Sequence, residues 1–129
     1  MKKAAFALVI ALLVVTTIAG LGFFIRDSFF YNLEDIPEGK FLYSSMSPDP
    51  YQTFTVQFYV ISEEDGPADG VRAVCINNVT REERTIYWQT GVTNAMVTWD
   101  SNFVININGI SIDVTKEEYD WRFPKVVEI

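Results

Sequence analysis

The sequence predicts a mainly β protein: an N-terminal transmembrane helix followed by a small antiparallel sheet or sandwich-like domain of about six or seven strands. Three observations predict it. An uncharged apolar run lies near the start, polar and apolar residues alternate from Thr53 to Ile61, and Asn108-Gly109 separates two apolar segments. The chain of 129 residues, of which 15% are aromatic, has room for one such domain.

The helix is predicted from the run between Ala4 and Ile25, which follows Lys2 and Lys3 and contains no charged residue. A helix over this range would be about 33 Å long, which matches the hydrocarbon core of a bilayer. We therefore expect an uncleaved signal-anchor, with the lipid bilayer as a partner through Ala4 to Ile25.

The alternative is a signal peptide that is removed after export. Thr17-Ile18-Ala19 has the small-x-small pattern of a cleavage site, but the apolar run continues past it to Ile25. Because the apolar region of a signal peptide is usually about 7–15 residues long, retention is the favoured interpretation. The lysines before the run predict a single-pass protein in the cell membrane, with a cytoplasmic N-terminus and the C-terminal domain outside.

Domain boundaries and charge follow from this assignment. Residues 1–25 are the predicted cytoplasmic lysines and anchor, residues 26–40 a juxtamembrane tether, and residues 41–129 an extracytoplasmic β domain. The chain has a net charge of −7, and without Lys2 and Lys3 the remainder carries −9. Such a charge repels nucleic acid and anionic lipid headgroups, so neither is an expected ligand.

Local patterns predict the first half of the β domain. A first strand begins at Phe41-Leu42-Tyr43 and is broken by Ser47-Pro48-Asp49-Pro50. The strand from Thr53 to Ile61 is expected to be half-buried, because its apolar residues occupy alternate positions. A loop follows, and then two further strands. The predicted ranges are Ser62–Gly70 for the loop and Val71–Asn77 and Arg84–Gln89 for the strands.

The last third predicts a three-stranded meander. Asn108-Gly109 is the preferred pair for a type I′ hairpin turn, since both positions need a positive φ. Folding there pairs Ile107 with Ile110, Ile105 with Ile112 and Phe103 with Val114, so that six apolar side chains share one face. A short turn at residues 100–102 is expected to bring Ala95, Val97 and Trp99 onto the same face.

After the meander, a short helical turn is predicted. Thr115-Lys116-Glu117-Glu118 has the spacing of a capping box, and Pro124 would end the helix soon after Tyr119 and Trp121.

Few side chains suggest chemistry. The chain has no histidine and one cysteine, Cys75, which excludes an internal disulfide and a Cys or His zinc cluster. Cys75 is expected to be a small buried hydrophobic residue. We expect no catalytic residues, no cofactor and no enzyme activity, because histidine, the usual base for a Ser or Cys nucleophile, is missing.

Two surface features remain as candidates for binding. Acidic residues in the Ser62–Gly70 loop are calcium candidates, although their spacing does not match an EF-hand and a solvated loop is the favoured interpretation: Glu63, Glu64, Asp65 and Asp69. Large aromatics could form a platform for a glycan or peptide, although core packing is expected of them: Tyr87, Trp88, Trp99 and Trp121.

Ordered motifs along the chain resemble an uncharacterised family of short bacterial proteins, chiefly from Gram-positive bacteria. The motifs are Pro37–Leu42, Ser47-Pro48-Asp49, Ile86-Tyr87-Trp88, Trp99, Ile107-Asn108-Gly109, Asp113-Val114 and Tyr119-Asp120. Members of this family often have glycine after Ser-Pro-Asp, where this chain has Pro50, so the turn is expected to differ here. The resemblance covers nearly the whole chain and implies a membrane-anchored extracytoplasmic domain. It supplies no activity, ligand or catalytic residue.

These observations together predict a cell-envelope binding or interaction module with an envelope protein or glycan as partner. Two alternatives stay open at this stage: a carboxylate-based hydrolase of the envelope, and a cleaved, secreted structural or inhibitor-like protein.

Overall fold

The computed structural model describes the backbone of residues 2–29 and 31–129, and the side chains of residues 5–18 and 31–129. The chain divides into two compact units, residues 1–31 and residues 32–129. The first unit is built on the helix α1 (Lys2–Phe29), so an N-terminal helix is present as predicted.

Every described side chain of α1, from residue 5 to residue 18, is exposed. The two polar ones are satisfied within the helix, since the hydroxyls of Thr16 and Thr17 donate to the carbonyls of Leu12 and Leu13 at 2.9 Å. Over the residues described, no helix is both long and apolar enough to cross a membrane. The span predicted from Ala4 to Ile25 also includes residue 4 and residues 19–25, whose side chains lie outside the described residues.

The second unit begins with a short 3₁₀ helix, Leu33–Asp35, and continues in nine strands. In chain order these are β1 (Lys40–Met46), β2 (Phe54–Ile61), β3 (Gly70–Asn77), β4 (Glu83–Thr90), β5 (Val97–Trp99), β6 (Val104–Ile107), β7 (Ile110–Asp113), β8 (Glu117–Asp120) and β9 (Phe123–Glu128). The mainly β class is therefore confirmed, with two strands more than the upper prediction of seven.

The strands form two sheets. A six-stranded sheet has the order β1-β2-β3-β4-β8-β9, and a three-stranded sheet has the order β5-β6-β7. Neighbouring strands are antiparallel except β4 and β8, where Tyr87 aligns with Tyr119 and Trp88 with Asp120 in parallel. The antiparallel arrangement predicted for the sheet is therefore wrong at this one pair. The β5–β7 meander separates β8 from β4 in sequence, and such a long connection permits parallel pairing.

The hydrophobic core lies where residues of the two sheets pack together. Val56, Phe58 and Ala73 of the large sheet belong to the same buried cluster as Ile105 and Ile112 of the small one. Hydrogen bonds also join the large sheet to β5 and to the segment before it. The hydroxyl of Tyr43 donates to the carbonyl of Ala95, and the indole Nε1 of Trp99 donates to Ser45 Oγ at 2.8 Å.

The opposite face of the large sheet is covered as well. Tyr59, Ile61 and Trp88 are buried outside the main cluster, together with Ile36, which follows the 3₁₀ helix. The prediction that β2 is half-buried was therefore wrong at Tyr59 and Ile61. Alternation in a sequence shows which side chains share a face, but whether a second layer covers the other face depends on distant residues.

The predicted meander is confirmed. Ile107 pairs with Ile110 and Ile105 with Ile112, and β5 pairs antiparallel with β6. Asn108 and Gly109 have φ values of +50° and +90°, as a type I′ turn requires.

The helical turn predicted after the meander was wrong, because the segment forms the turn into β8. Instead of capping a helix, the amide and hydroxyl of Thr115 donate to Asp113 Oδ1. The carboxylate of Glu117 accepts from the amide of Asp113 at 2.8 Å. Thr115, the residue expected to cap the helix, and its neighbour Glu117 thus stabilise a turn between strands. Pro124 lies in β9 at the edge of the sheet, where a missing N–H is tolerated.

Candidate functional site

The acidic loop between β2 and β3 places its four carboxylates at the surface. Glu63, Glu64, Asp65 and Asp69 are all exposed. Two of them support the loop itself, since Asp69 accepts from the amide of Glu63 and Asp65 accepts from the hydroxyl of Ser62 at 3.0 Å. Across the described part of the chain, no group of three or more Asp, Glu, Cys or His residues is arranged to hold a metal ion. The loop therefore offers carboxylates without a preformed coordination site.

The aromatic candidates do not form one platform. Tyr87 and Trp88 are buried at 1% and 0% exposure, which places both in the interior. Trp99 is half-buried and hydrogen-bonded to Ser45, and Trp121 is half-buried against the core cluster. Core packing is thus the main role of the buried pair, as expected from their size.

Cys75 is buried, as the sequence predicted, with 3% of its surface exposed. Burial in apolar surroundings raises the pKa of its thiol to about 11, with the nearby Arg84 opposing that rise. Because the thiolate is the reactive form, such a cysteine is a poor nucleophile at neutral pH. Its side chain lies 3.9 Å from the carbonyl oxygen of Val114 and belongs to the wall of a cleft.

This cleft is a candidate binding site. It has a volume of about 520 Å³, within the roughly 300–1,000 Å³ range typical of small-molecule sites. It lies where the β3–β4 end of the large sheet meets the segment that follows β7. Its lining residues are Phe54, Cys75, Asn77, Glu82, Glu83, Arg84, Val114 and Thr115.

Arg84 is the one basic residue in the lining of the cleft. Its Nη2 donates to the carbonyl of Val114 at 2.9 Å, which ties β4 to the segment after β7. Its Nη1 exposes less than 1 Å² and has no hydrogen-bond partner among the described residues. A buried donor without a partner costs about 1–3 kcal/mol, and more when it is charged, so this nitrogen is an unusual feature in the wall of a cleft.

The other polar groups surround Arg84 on the same cleft. Glu82 and Glu83 are exposed, whereas Asn77 is half-buried and its Oδ1 accepts from the amides of Val79 and Thr80. Thr115 is exposed and donates its hydroxyl to Asp113. The cleft therefore combines one guanidinium and two carboxylates with the apolar surfaces of Phe54, Cys75 and Val114.

The sequence alone did not single out this site. Arg84 was predicted to begin a strand, with Glu82 and Glu83 in the connection before it, and Val114 lies 30 residues further along the chain than Arg84. The only local signal is the run of four charged residues from Arg81 to Arg84 beside a turn, and such runs are common in solvated loops. The site becomes visible only when the turn after β7 packs beside β4.

Comparison with known proteins gives one family. The family of unknown function DUF5412 matches residues 2–124, which include every residue that lines the cleft. No curated protein and no solved structure shows significant similarity to the chain. The family match confirms the resemblance drawn from the ordered motifs, and anchoring in a membrane stays a prediction. The chain belongs to the family of unknown function DUF5412.

Proposed function

We propose that the chain is a binding or interaction module held at the outer face of a cell membrane by α1. The observation that carries the proposal is the surface of that helix. Its described part has large apolar side chains on all sides: Phe6, Leu8, Val9, Ile10, Leu12, Leu13, Val14, Val15 and Ile18, which are 46–70% exposed.

An apolar surface of this kind is unfavourable in water. A helix that is hydrophobic all round belongs in a membrane or a protein interior, and an extended exposed apolar patch marks a surface that is covered in the cell. A lipid environment needs no charged partner here, because residues 5–18 include no Asp, Glu, Lys or Arg. The hydroxyls of Thr16 and Thr17 are already bonded within the helix, which lowers the cost of placing them in hydrocarbon.

Charge supports one orientation. Lys2 and Lys3 precede the apolar run, and the part of the chain after it carries a net charge of −9. Cytoplasmic flanks of membrane helices are enriched in Lys and Arg, so we propose a cytoplasmic N-terminus and an external β domain.

A binding role for the β domain is supported by the cleft beside Arg84, which joins apolar walls to a few convergent polar groups. The pattern suits recognition of a small polar ligand or of a side chain from an envelope partner.

The topology can be tested on the full chain in a Cys75→Ala background. Ser101 lies exposed in the turn between β5 and β6, so the Ser101→Cys variant presents a thiol on the domain. A membrane-impermeant maleimide added to intact cells is expected to label this variant. A variant with a cysteine inserted between Met1 and Lys2 keeps both lysines and is the matched control, which is expected to be labelled only after lysis. Labelling in the reverse order, or recovery of the protein in the soluble fraction after a carbonate wash, would contradict the proposal.

A further inference from the structure

We propose that the cleft beside Arg84 binds a small zwitterionic ligand of the amino-acid or short-peptide class, with its carboxylate at Arg84 and its ammonium group at Glu82 and Glu83. The inference rests on the proposed binding function and names the class of ligand for it. Three properties of the cleft support this proposal. They are the Nη1 nitrogen of Arg84, which has no hydrogen-bond partner among the described residues, the negative net charge of the lining, and the apolar wall.

The Nη1 nitrogen of Arg84 indicates that the ligand carries a carboxylate. Nη2 is occupied by the carbonyl of Val114, while Nη1 is covered and without a hydrogen-bond partner among the described residues. A carboxylate is the group that a guanidinium binds best, since it accepts two parallel hydrogen bonds. Because Nη1 exposes less than 1 Å², the guanidinium has to turn toward the cleft as the ligand enters.

The charge around Arg84 indicates that the ligand also carries a cation. Two carboxylates, those of Glu82 and Glu83, line the cleft with one guanidinium, so its own lining has a net charge of −1. The chain as a whole carries −7. This field disfavours a simple anion. An ammonium group of the ligand near the two glutamates offsets this electrostatic repulsion, so that the carboxylate of the ligand can bind Arg84.

The apolar wall accounts for the rest of the ligand. Phe54, Cys75 and Val114 line the cleft, and the latter two are buried members of the core cluster. Phe54 is half-buried and supplies most of the accessible apolar surface, which suits the side chain or backbone carbons of an amino acid or dipeptide. The cleft of about 520 Å³ is large enough for a ligand of that size.

The test uses the full chain in detergent micelles and the dipeptide alanyl-phenylalanine as the probe. Its N-acetyl derivative lacks the ammonium group, and its C-terminal amide lacks the carboxylate. Titrations followed by amide and Arg Nε resonances are expected to show saturable shifts at Asn77, Arg84 and Thr115. Each derivative is expected to bind at least about tenfold more weakly than the zwitterion, because each loses one charge-assisted contact.

Two variants identify the contacts. In the Arg84→Gln variant the free acid and the amide are expected to bind alike. In the Glu82→Gln/Glu83→Gln variant the free amine and the N-acetyl peptide are expected to bind alike. Since Arg84 also bonds to Val114, thermal unfolding reports whether its variant folds. The two glutamates are exposed, so their substitution is expected to leave the fold intact. If the Arg84 variant does not fold, the glutamate variant tests the proposed ligand contacts.

The proposal is overturned if the folded chain shows no saturable shift at the cleft, if the three peptides bind equally, or if neither variant changes their order. These outcomes are independent of membrane topology, which the cysteine-labelling experiment measures. A wrong orientation in the membrane would therefore leave the ligand result unaffected, and the absence of dipeptide binding would leave the anchor intact.

Discussion

At the scale of single residues, the Ser-Pro-Asp motif shows how a sequence signature becomes local structure. Ser47 and Asp49 are buried at 1% and 5% exposure. The hydroxyl of Ser47 donates to Asp49 and accepts from the amide of Phe54, while the hydroxyl of Thr53 donates to Asp49 at 2.7 Å. The motif thus satisfies its own polar groups and closes the turn from β1 to β2, so it is a structural motif.

Protonation of Asp49 is predicted to weaken this turn. The hydrogen bond from Ser47, followed by those from Thr53, lowers the pKa of the carboxyl below its ordinary value of 3.8. A group whose pKa is lower in the folded state stabilises above its unfolded pKa and loses that contribution as the pH falls through its folded pKa. Asp49→Asn is therefore expected to lower the melting temperature at neutral pH, with a gap from the wild type that narrows below about pH 4. Thermal unfolding between neutral and acidic pH measures the gap.

Glu64→Gln is the control for that series, since Glu64 is exposed in the acidic loop. Its melting temperature is expected to follow the wild type throughout. A gap for Asp49→Asn that stays constant into acid would show that the turn does not depend on the charge of Asp49.

Among single residues, the burial of Cys75 could be predicted from the sequence, whereas the contact made by Arg84 could not. Burial of Cys75 was predictable, because a lone cysteine in a strand of Val and Ile is usually a small hydrophobic residue. The role of Arg84 was not, because its partner is a backbone carbonyl at Val114. A hydrogen bond from a side chain to a distant backbone carbonyl produces no recognisable pattern among the neighbouring residues in the sequence.

At the scale of elements, the hairpin of β6 and β7 is fixed by its two turn residues. The side-chain amide of Asn108 accepts from the amide of Met96 at 2.8 Å and donates to the carbonyl of Asn94 and the hydroxyl of Tyr87 at 3.2 Å. The turn is therefore attached to the segment before β5 and to the buried end of Tyr87. Asn108-Gly109 closes the hairpin and also positions the meander on the large sheet.

Gly109→Val is predicted to destabilise the fold through the backbone alone. Gly109 has a φ of +90°, and a Cβ built there meets no atom within 4 Å. The cost is thus conformational, about 1–3 kcal/mol for a β-branched residue held at positive φ. Gly109→Asn is the matched control and is expected to lose less, because asparagine adopts this region more readily. Urea unfolding measures both variants, and equal stabilities for Val and Asn would contradict the type I′ turn.

Elements that are determined by neighbouring residues were predictable from the sequence. Elements that depend on pairing with a distant part of the chain were not. Asn108-Gly109 fixes the hairpin from neighbouring residues only, so its register followed directly from the sequence. β8 forms because Tyr119 stacks on Tyr87, with ring centroids 5.7 Å apart, and its strand aligns in parallel with β4. That partner lies more than 30 residues away. The local capping-box pattern therefore suggested a helix that long-range pairing overrides.

At the scale of the whole molecule, charge and apolar surface are divided between different parts of the chain. The described part of α1 exposes only apolar side chains and two internally bonded threonines. The acidic residues lie beyond it, and several of the basic ones are committed to internal contacts. Arg122 pairs with Asp120 with only 3% of its side chain exposed, and Arg72 lies 4.9 Å from the ring centroid of Tyr59. The Arg122–Asp120 pair is neutral as a unit, so the acidity of the domain comes from its remaining excess of carboxylates.

If α1 anchors the chain as proposed, charge introduced into α1 is expected to release the chain from membranes. Leu13 and Val14, both more than half exposed, lie in the middle of the apolar run. A lysine at the centre of a membrane helix costs about 2.5–3.5 kcal/mol, so Leu13→Lys/Val14→Lys is expected to cost about 5–7 kcal/mol and to shift the protein into the soluble fraction. Leu13→Ala/Val14→Ala is the matched control, which shortens the same side chains without adding charge and is expected to stay in the membrane pellet. Fractionation of cells that express each full-length variant, followed by thermal unfolding of the released protein, separates loss of anchoring from loss of fold. If the double lysine variant stayed in the pellet through a carbonate wash with its β domain folded, α1 would not be the element that holds this protein at the membrane.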